Sequence, residues 1–198
     1  MKTPTVEALR ASNAAFRLPS VPHIEDHIAA MREKAATLPH EAGRIVDWRT
    51  GNTLWESSAS DADAGSVDMS GAGSFTIGNL MIHTHPIAAE LSVPDFCCCT
   101  STCARANLAV SPDGTLSWSE GIRNDTTWDS IYQTTGMVRH WYGYRGFDFD
   151  EKRRPDSRLA ALDNYWLAAG LYDSGVMLGE QHNFYSDAVI ALMTMKGE

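Results

Sequence analysis

The residues whose types and spacing suit chemistry lie in two short segments, residues 83–86 (HTHP) and 92–95 (SVPD). Two imidazoles and one carboxylate suit a catalytic zinc ion, which takes three protein ligands and keeps a fourth position for water. His83, His85 and Asp95 are therefore the candidate metal ligands. A site of this kind makes a hydrolase the leading interpretation of the chain.

A strand followed by a helix is expected to bring these three groups together. Residues 75–82 are predicted to form a strand, and side chains two apart in a strand share a face, so His83 and His85 would lie side by side at its end. Ser92 resembles a helix N-cap, and Asp95 would then meet the positive end of a helix running to about Ala106. A lone His-x-His or a capping box is common without function, but the two together favour metal binding.

Hydrolysis at such a site needs a general base, and a carboxylate is a common choice. Glu41 and Glu56 are the upstream candidates. Glu41 follows a predicted helix and opens a predicted strand. Glu56 ends the second strand of a predicted hairpin, where an exposed carboxylate with no catalytic role is the ordinary interpretation.

Residues 83–86 and 92–95, in this order, resemble the JAMM motif of the MPN/JAB-domain metalloproteases. That motif has His-Ser/Thr-His-Pro, a short loop, Ser-x-x-Asp and a glutamate well upstream. The resemblance covers roughly residues 24–120, and the loop 86–91 is one residue shorter than is usual in the family. It implies one zinc ion per chain held by His83, His85 and Asp95, in a β-barrel-like sheet flanked by helices. It also implies cleavage of amide or isopeptide bonds, often at the tails of ubiquitin-like proteins.

The same resemblance implies roles for two further residues. Glu41 is similar to the family's glutamate, which begins a strand and is closely followed by glycine, and it is favoured over Glu56 as general base and acid. Ser92 has two interpretations: a helix cap, and a hydroxyl that stabilises the oxyanion of the tetrahedral intermediate. Loss of one such donor costs about 100- to 1,000-fold in rate.

The order of predicted elements indicates an α/β (α+β) fold, in which helices pack on an MPN/JAB-like mixed β-sheet or partial barrel. A lead-in without regular structure is predicted for residues 1–22, the catalytic core for 23–125, and an aromatic-rich segment with C-terminal helices packed on the core for 126–198. The individual elements are a helix at 24–38, hairpins at 41–56 and 107–118, and helices at about 157–171 and 187–195.

Composition narrows the classes of partner. The chain has 198 residues and a formal net charge of −9, which disfavours nucleic acid and anionic membranes. Residues 1–15 lack the apolar centre of a signal peptide. The cysteines crowd together, which argues against a disulfide framework and favours a reducing cytoplasm; they are Cys97, Cys98, Cys99 and Cys103.

The sequence thus predicts a cytoplasmic, zinc-dependent isopeptidase or protease, similar to deubiquitinases, that acts on a protein substrate. Two alternatives remain open. One is a non-catalytic MPN-like scaffold that binds partners without metal. The other is a zinc amidase acting on a small molecule or on the tail of a carrier protein.

Overall fold

The described part of the chain is a mixed α+β structure in which helices flank a six-stranded sheet. The computed structural model describes residues 5–57, 67, 69, 71–86, 91, 95, 98, 102–120 and 181–196. The predicted mixed sheet with helices packed on it is confirmed. The elements in chain order are α1 (Val6–Ala15), α2 (Ile24–Thr37), β1 (Gly43–Val46), β2 (Thr53–Glu56), a 3-10 helix (Gly73–Thr76), β3 (Leu80–Thr84), β4 (Ala106–Val110), β5 (Leu116–Glu120), β6 (Gln181–Phe184) and α3 (Asp187–Lys196).

The strands lie in the order β2-β1-β3-β4-β5-β6. The β3–β4 pair is parallel and the other pairs are antiparallel, so both predicted hairpins are confirmed. His83 lies opposite Gly43 of β1 and Ala109 of β4. Parallel neighbours need a crossover connection, and the chain between β3 and β4 contains Asp95.

The two faces of the sheet carry different residues. Leu80, Ile82 and Leu108 are buried on the face that packs against Met31 of α2. Because side chains alternate along a strand, Met81 and His83 belong to the opposite face. The candidate site therefore lies on the face away from α2.

The N-terminal segment is a helix, contrary to the unstructured lead-in predicted for residues 1–22. Thr5 caps α1, since its Oγ1 accepts a hydrogen bond from the backbone N–H of Ala8 at 3.2 Å. Leu9 is buried against the C-terminal α3 and its neighbouring residues. Asn13 also bonds both backbone groups of Tyr185, at 2.8 and 2.7 Å. These long-range contacts stabilise a helix that its own sequence indicates only weakly.

The segment leading to the histidines also differs from the prediction. Residues 75–82 were expected to form one strand, but the 3-10 helix occupies its first part and β3 begins at Leu80. The crossover is helical at Asp95, Cys98 and Thr102. It ends at Cys103, which adopts a left-handed φ of 54°, so the predicted continuation to Ala106 is wrong.

Near the C-terminus, the helix predicted at 187–195 is confirmed as α3, whereas β6 was not predicted. The predicted helix at 157–171 and the aromatic cluster at 128–149 lie outside the described residues. Among the helices that are described, none has the length and apolar character needed to span a membrane.

Candidate metal centre

His83, His85 and Asp95 converge on one point. His83 lies in β3, His85 immediately follows it, and Asp95 lies in the helical part of the crossover. One ligand atom from each residue lies within 4.8 Å of the others, and both histidines are buried. Among the described residues this is the one group of three His, Cys, Asp or Glu side chains placed to hold a metal ion.

The closest atoms are those that would bind a metal. His83 Nε2 lies 3.0 Å from Asp95 Oδ1, and His85 Nε2 lies 3.4 Å from Asp95 Oδ2. The two Nε2 atoms are 3.0 Å apart. Backbone pairing holds this geometry beyond the end of β3, because the N–H of His85 donates to the carbonyl of Val110 at 3.0 Å.

The charges of the three groups are strongly coupled. Burial disfavours protonation of His83, but the Asp95 carboxylate, helped by Glu41 and Asn107, outweighs it and the pKa of His83 rises to about 9. Burial likewise favours the neutral form of Asp95, yet His83 and His85 hold the pKa of this carboxyl well below its usual range. These surroundings thus favour an ionised Asp95 whose negative charge is balanced by a nearby positive charge.

Glu41 lies within electrostatic range of all three groups. Burial raises its pKa, and the charges of His83 and His85 oppose that rise. The backbone next to Glu41 is fixed to β3, because the N–H of Ala42 donates to Thr84 Oγ1 at 2.7 Å. Thr84 is therefore structural, as its position on the other face of the strand predicts.

Glu56 has different surroundings. Its carboxylate forms ion pairs with Lys34 of α2 and Arg44 of β1. These two cationic side chains neutralise the charge of the Glu56 carboxylate. The structure thus groups Glu41, and not Glu56, with the candidate ligands.

Ser92, the predicted oxyanion donor, lies outside the described residues. Its neighbour Leu91 is fully buried, and the N–H of Leu91 donates to Ser117 Oγ at 3.2 Å. Leu91, the residue before the predicted serine, is therefore anchored to β5.

No family model, curated protein or solved structure matches this chain. Its interpretation depends on the chemistry and geometry of its own residues.

One buried residue at the site was missed by sequence reasoning. Asn107 of β4 is 2% exposed. Its Oδ1 lies 3.1 Å from His83 Nδ1, and its Nδ2 donates to the backbone carbonyl of Asp95 at 3.2 Å. The available indication was a single amide in the otherwise apolar segment 106–110, but only the strand register shows what it contacts.

Other histidine and cysteine side chains have structural surroundings. His27 of α2 is buried, and its Nε2 lies 2.8 Å from the carbonyl oxygen of Gly51. Cys98 packs in a small cluster with Ile45 and Met81, where burial raises the pKa of its thiol. Cys103, in contrast, is exposed.

Proposed function

We propose that this chain is a zinc-dependent hydrolase of the JAMM type. It cleaves a peptide or isopeptide bond, and the tails of ubiquitin-like proteins are the leading class of substrate. The observation that carries this proposal is the convergence of His83, His85 and Asp95, whose ligand atoms lie within 4.8 Å of one another.

The donor set fits zinc. Bonds of about 2.0–2.1 Å to a tetrahedral ion place neighbouring ligand atoms roughly 3.3 Å apart. The separations among the two Nε2 atoms and the Asp95 oxygens are 3.0, 3.0 and 3.4 Å. Two imidazole nitrogens also favour zinc over calcium or magnesium, which prefer oxygen ligands.

Zinc bound here supplies a Lewis acid that polarises the scissile carbonyl and acidifies a water molecule. The proton chemistry belongs to Glu41. Its carboxylate takes a proton from the attacking water and delivers it to the leaving nitrogen. A burial-raised pKa suits both steps, because a general acid-base group works best when its pKa lies near the working pH. Ser92 is the proposed donor to the oxyanion.

The order of elements supports an MPN/JAB-like fold as part of this proposal. A helix precedes the hairpin β1–β2, the ligand-bearing β3 lies beside β1, and the crossover from β3 to β4 contains Asp95, which is helical. Residues 23–125 would then be the catalytic core. The N- and C-terminal elements pack together at the β6 edge.

The first experiment measures zinc content and hydrolysis with the purified full chain. We expect about one zinc per chain and chelator-sensitive cleavage of ubiquitin-like fusion proteins. His83→Ala and Asp95→Ala should each lose the zinc and the cleavage. His23→Ala is the matched control, because its side chain is exposed at the start of α2 and should leave both unchanged.

The possible results separate the proposed function from its alternatives. A protein that binds no zinc but captures a protein partner would be a non-catalytic scaffold. A zinc-containing protein that cleaves only small amides or carrier-protein tails would be an amidase. Unchanged hydrolysis by Asp95→Ala would contradict the metal centre itself.

A further inference from the structure

Asn107 of β4 contacts two of the three candidate ligand residues, although neither of them lies on β4. Its Oδ1 lies 3.1 Å from His83 Nδ1, and its Nδ2 lies 3.2 Å from the backbone oxygen of Asp95. His83 lies in β3, and Asp95 lies in the crossover that follows it. A single buried amide therefore joins the two elements that must meet to form the site.

The chemistry of these contacts allows one arrangement of hydrogens. A backbone carbonyl can only accept, so the Asn107 group facing Asp95 must be the NH₂ group. Its oxygen then faces His83, and His83 must donate from Nδ1–H. With the ring proton committed at Nδ1, the lone pair of the neutral ring lies on Nε2, the atom that points at His85 and Asp95.

The register of the parallel strands places the amide there. Asn107 lies opposite Met81, two residues before His83, and thus on the same face of the sheet. The residue beside His83 itself is Ala109, which is small enough to leave room for the ring. An apolar side chain at position 107 would satisfy the packing but could make neither hydrogen bond.

We propose that Asn107 is a positioning residue of the metal centre, which fixes the ring of His83 for binding through Nε2 and ties the backbone at Asp95 to β4. This inference rests on the proposed function insofar as it requires that the site binds zinc. Residues that hold a ligating histidine by its other nitrogen typically contribute 10- to 100-fold to metal affinity.

The test measures zinc affinity by chelator competition, with no need for a substrate. Asn107→Val removes both hydrogen bonds and suits a strand position. We expect its zinc affinity to fall by about 10- to 100-fold and the absorption spectrum of its cobalt-substituted form to change. Asn107→Asp keeps the acceptor for His83, so it should bind zinc more tightly than Asn107→Val does.

Ser119→Ala is the matched control. Ser119 pairs with Asn107 across β4 and β5, is 5% exposed, and its Oγ has no hydrogen-bond partner among the described residues. We expect zinc affinity and the cobalt spectrum to remain those of the wild type. If Asn107→Val fails to fold, as judged by circular dichroism, Asn107→Ala replaces it in the same comparison.

Each outcome bears on a defined claim. Wild-type zinc affinity in Asn107→Val or Asn107→Ala would overturn the role of Asn107 while leaving the metal centre intact. Equal weakening by Ser119→Ala would also overturn it, because any change on this face would then suffice. A wild-type chain that binds no zinc would overturn the proposed function together with this inference.

Discussion

Two glutamates near strand ends, Glu41 and Glu56, have different surroundings, and for this reason we propose different roles for them. Glu41 faces His83, His85 and Asp95, whereas Glu56 is neutralised by Lys34 and Arg44. The position of Glu41 at the start of a strand already favoured it in the sequence, but only the fold shows which charged groups surround each glutamate.

Replacing Glu41 with Gln tests this assignment. The amide keeps the size of the side chain but cannot take a proton, so we expect hydrolysis to fall by about 100- to 10,000-fold. Zinc should remain bound, because Glu41 is not in the ligand group. Rates come from steady-state assays and zinc from elemental analysis. Full activity in Glu41→Gln, or an equal loss in the control Glu56→Gln, would contradict the assignment.

The candidate ligands could be predicted from the sequence, but the residue that hydrogen-bonds to two of them could not. His83, His85 and Asp95 are residue types whose chemistry shows in the sequence. The role of Asn107 depends on β3 and β4 being parallel neighbours in a particular register. No local pattern contains that information, because the two strands are joined by a long crossover.

At the level of elements, sequence periodicity and turn residues predicted the helices and hairpins that local interactions stabilise. The helix α2 has its apolar residues at helical spacing, and the β4–β5 hairpin has turn residues at 111–114. In contrast, α1 and β6 depend on each other: Ser12 Oγ donates to the backbone of Asn183 at 2.7 Å, and Asn13 pairs with Tyr185. Contacts between residues more than 170 positions apart produce no periodic pattern in the sequence, so neither element could be predicted from it.

The same level contains a pH-dependent contact among α2, β1 and β2. Burial would raise the pKa of Glu56, but hydrogen bonds from Lys34 and Arg44 outweigh it and lower that pKa in the folded state. Because this pKa is lower in the folded than in the unfolded chain, the ion pairs stabilise the fold at pH values above the unfolded pKa of about 4.3. The stabilisation is lost as the pH falls through the pKa of Glu56 in the folded chain.

We therefore expect Glu56→Gln to lower the free energy of unfolding by about 0.5–1 kcal/mol at pH 7, since these side chains are partly exposed to solvent. The difference should shrink toward zero at pH 3. Urea denaturation at both pH values measures it. Glu120→Gln, which breaks the more exposed pair with Arg105, should cost less at pH 7. A loss for Glu56→Gln that is independent of pH would indicate packing and not charge.

For the whole molecule, the proposed metal binding would be linked to folding. The ligands converge only in the folded chain, so zinc at about 1,000 times its dissociation constant should stabilise the protein by roughly 4 kcal/mol. For a chain of this size that corresponds to a rise in Tm of roughly 10 °C. Differential scanning calorimetry with zinc and then with excess chelator should show the rise and its reversal. Asp95→Ala should show neither, and an equal rise in that variant would place the zinc elsewhere.

The parallel contact of β3 with β4 also has a consequence for when the proposed centre would form. During synthesis His83, His85 and Asp95 leave the ribosome before β4 does. Until residue 110 has emerged, the N–H of His85 lacks the Val110 carbonyl and His83 lacks Asn107. We therefore expect a nascent chain stalled between these points to contain all three candidate ligands without an assembled centre, so that binding of the proposed ion would follow translation of β4.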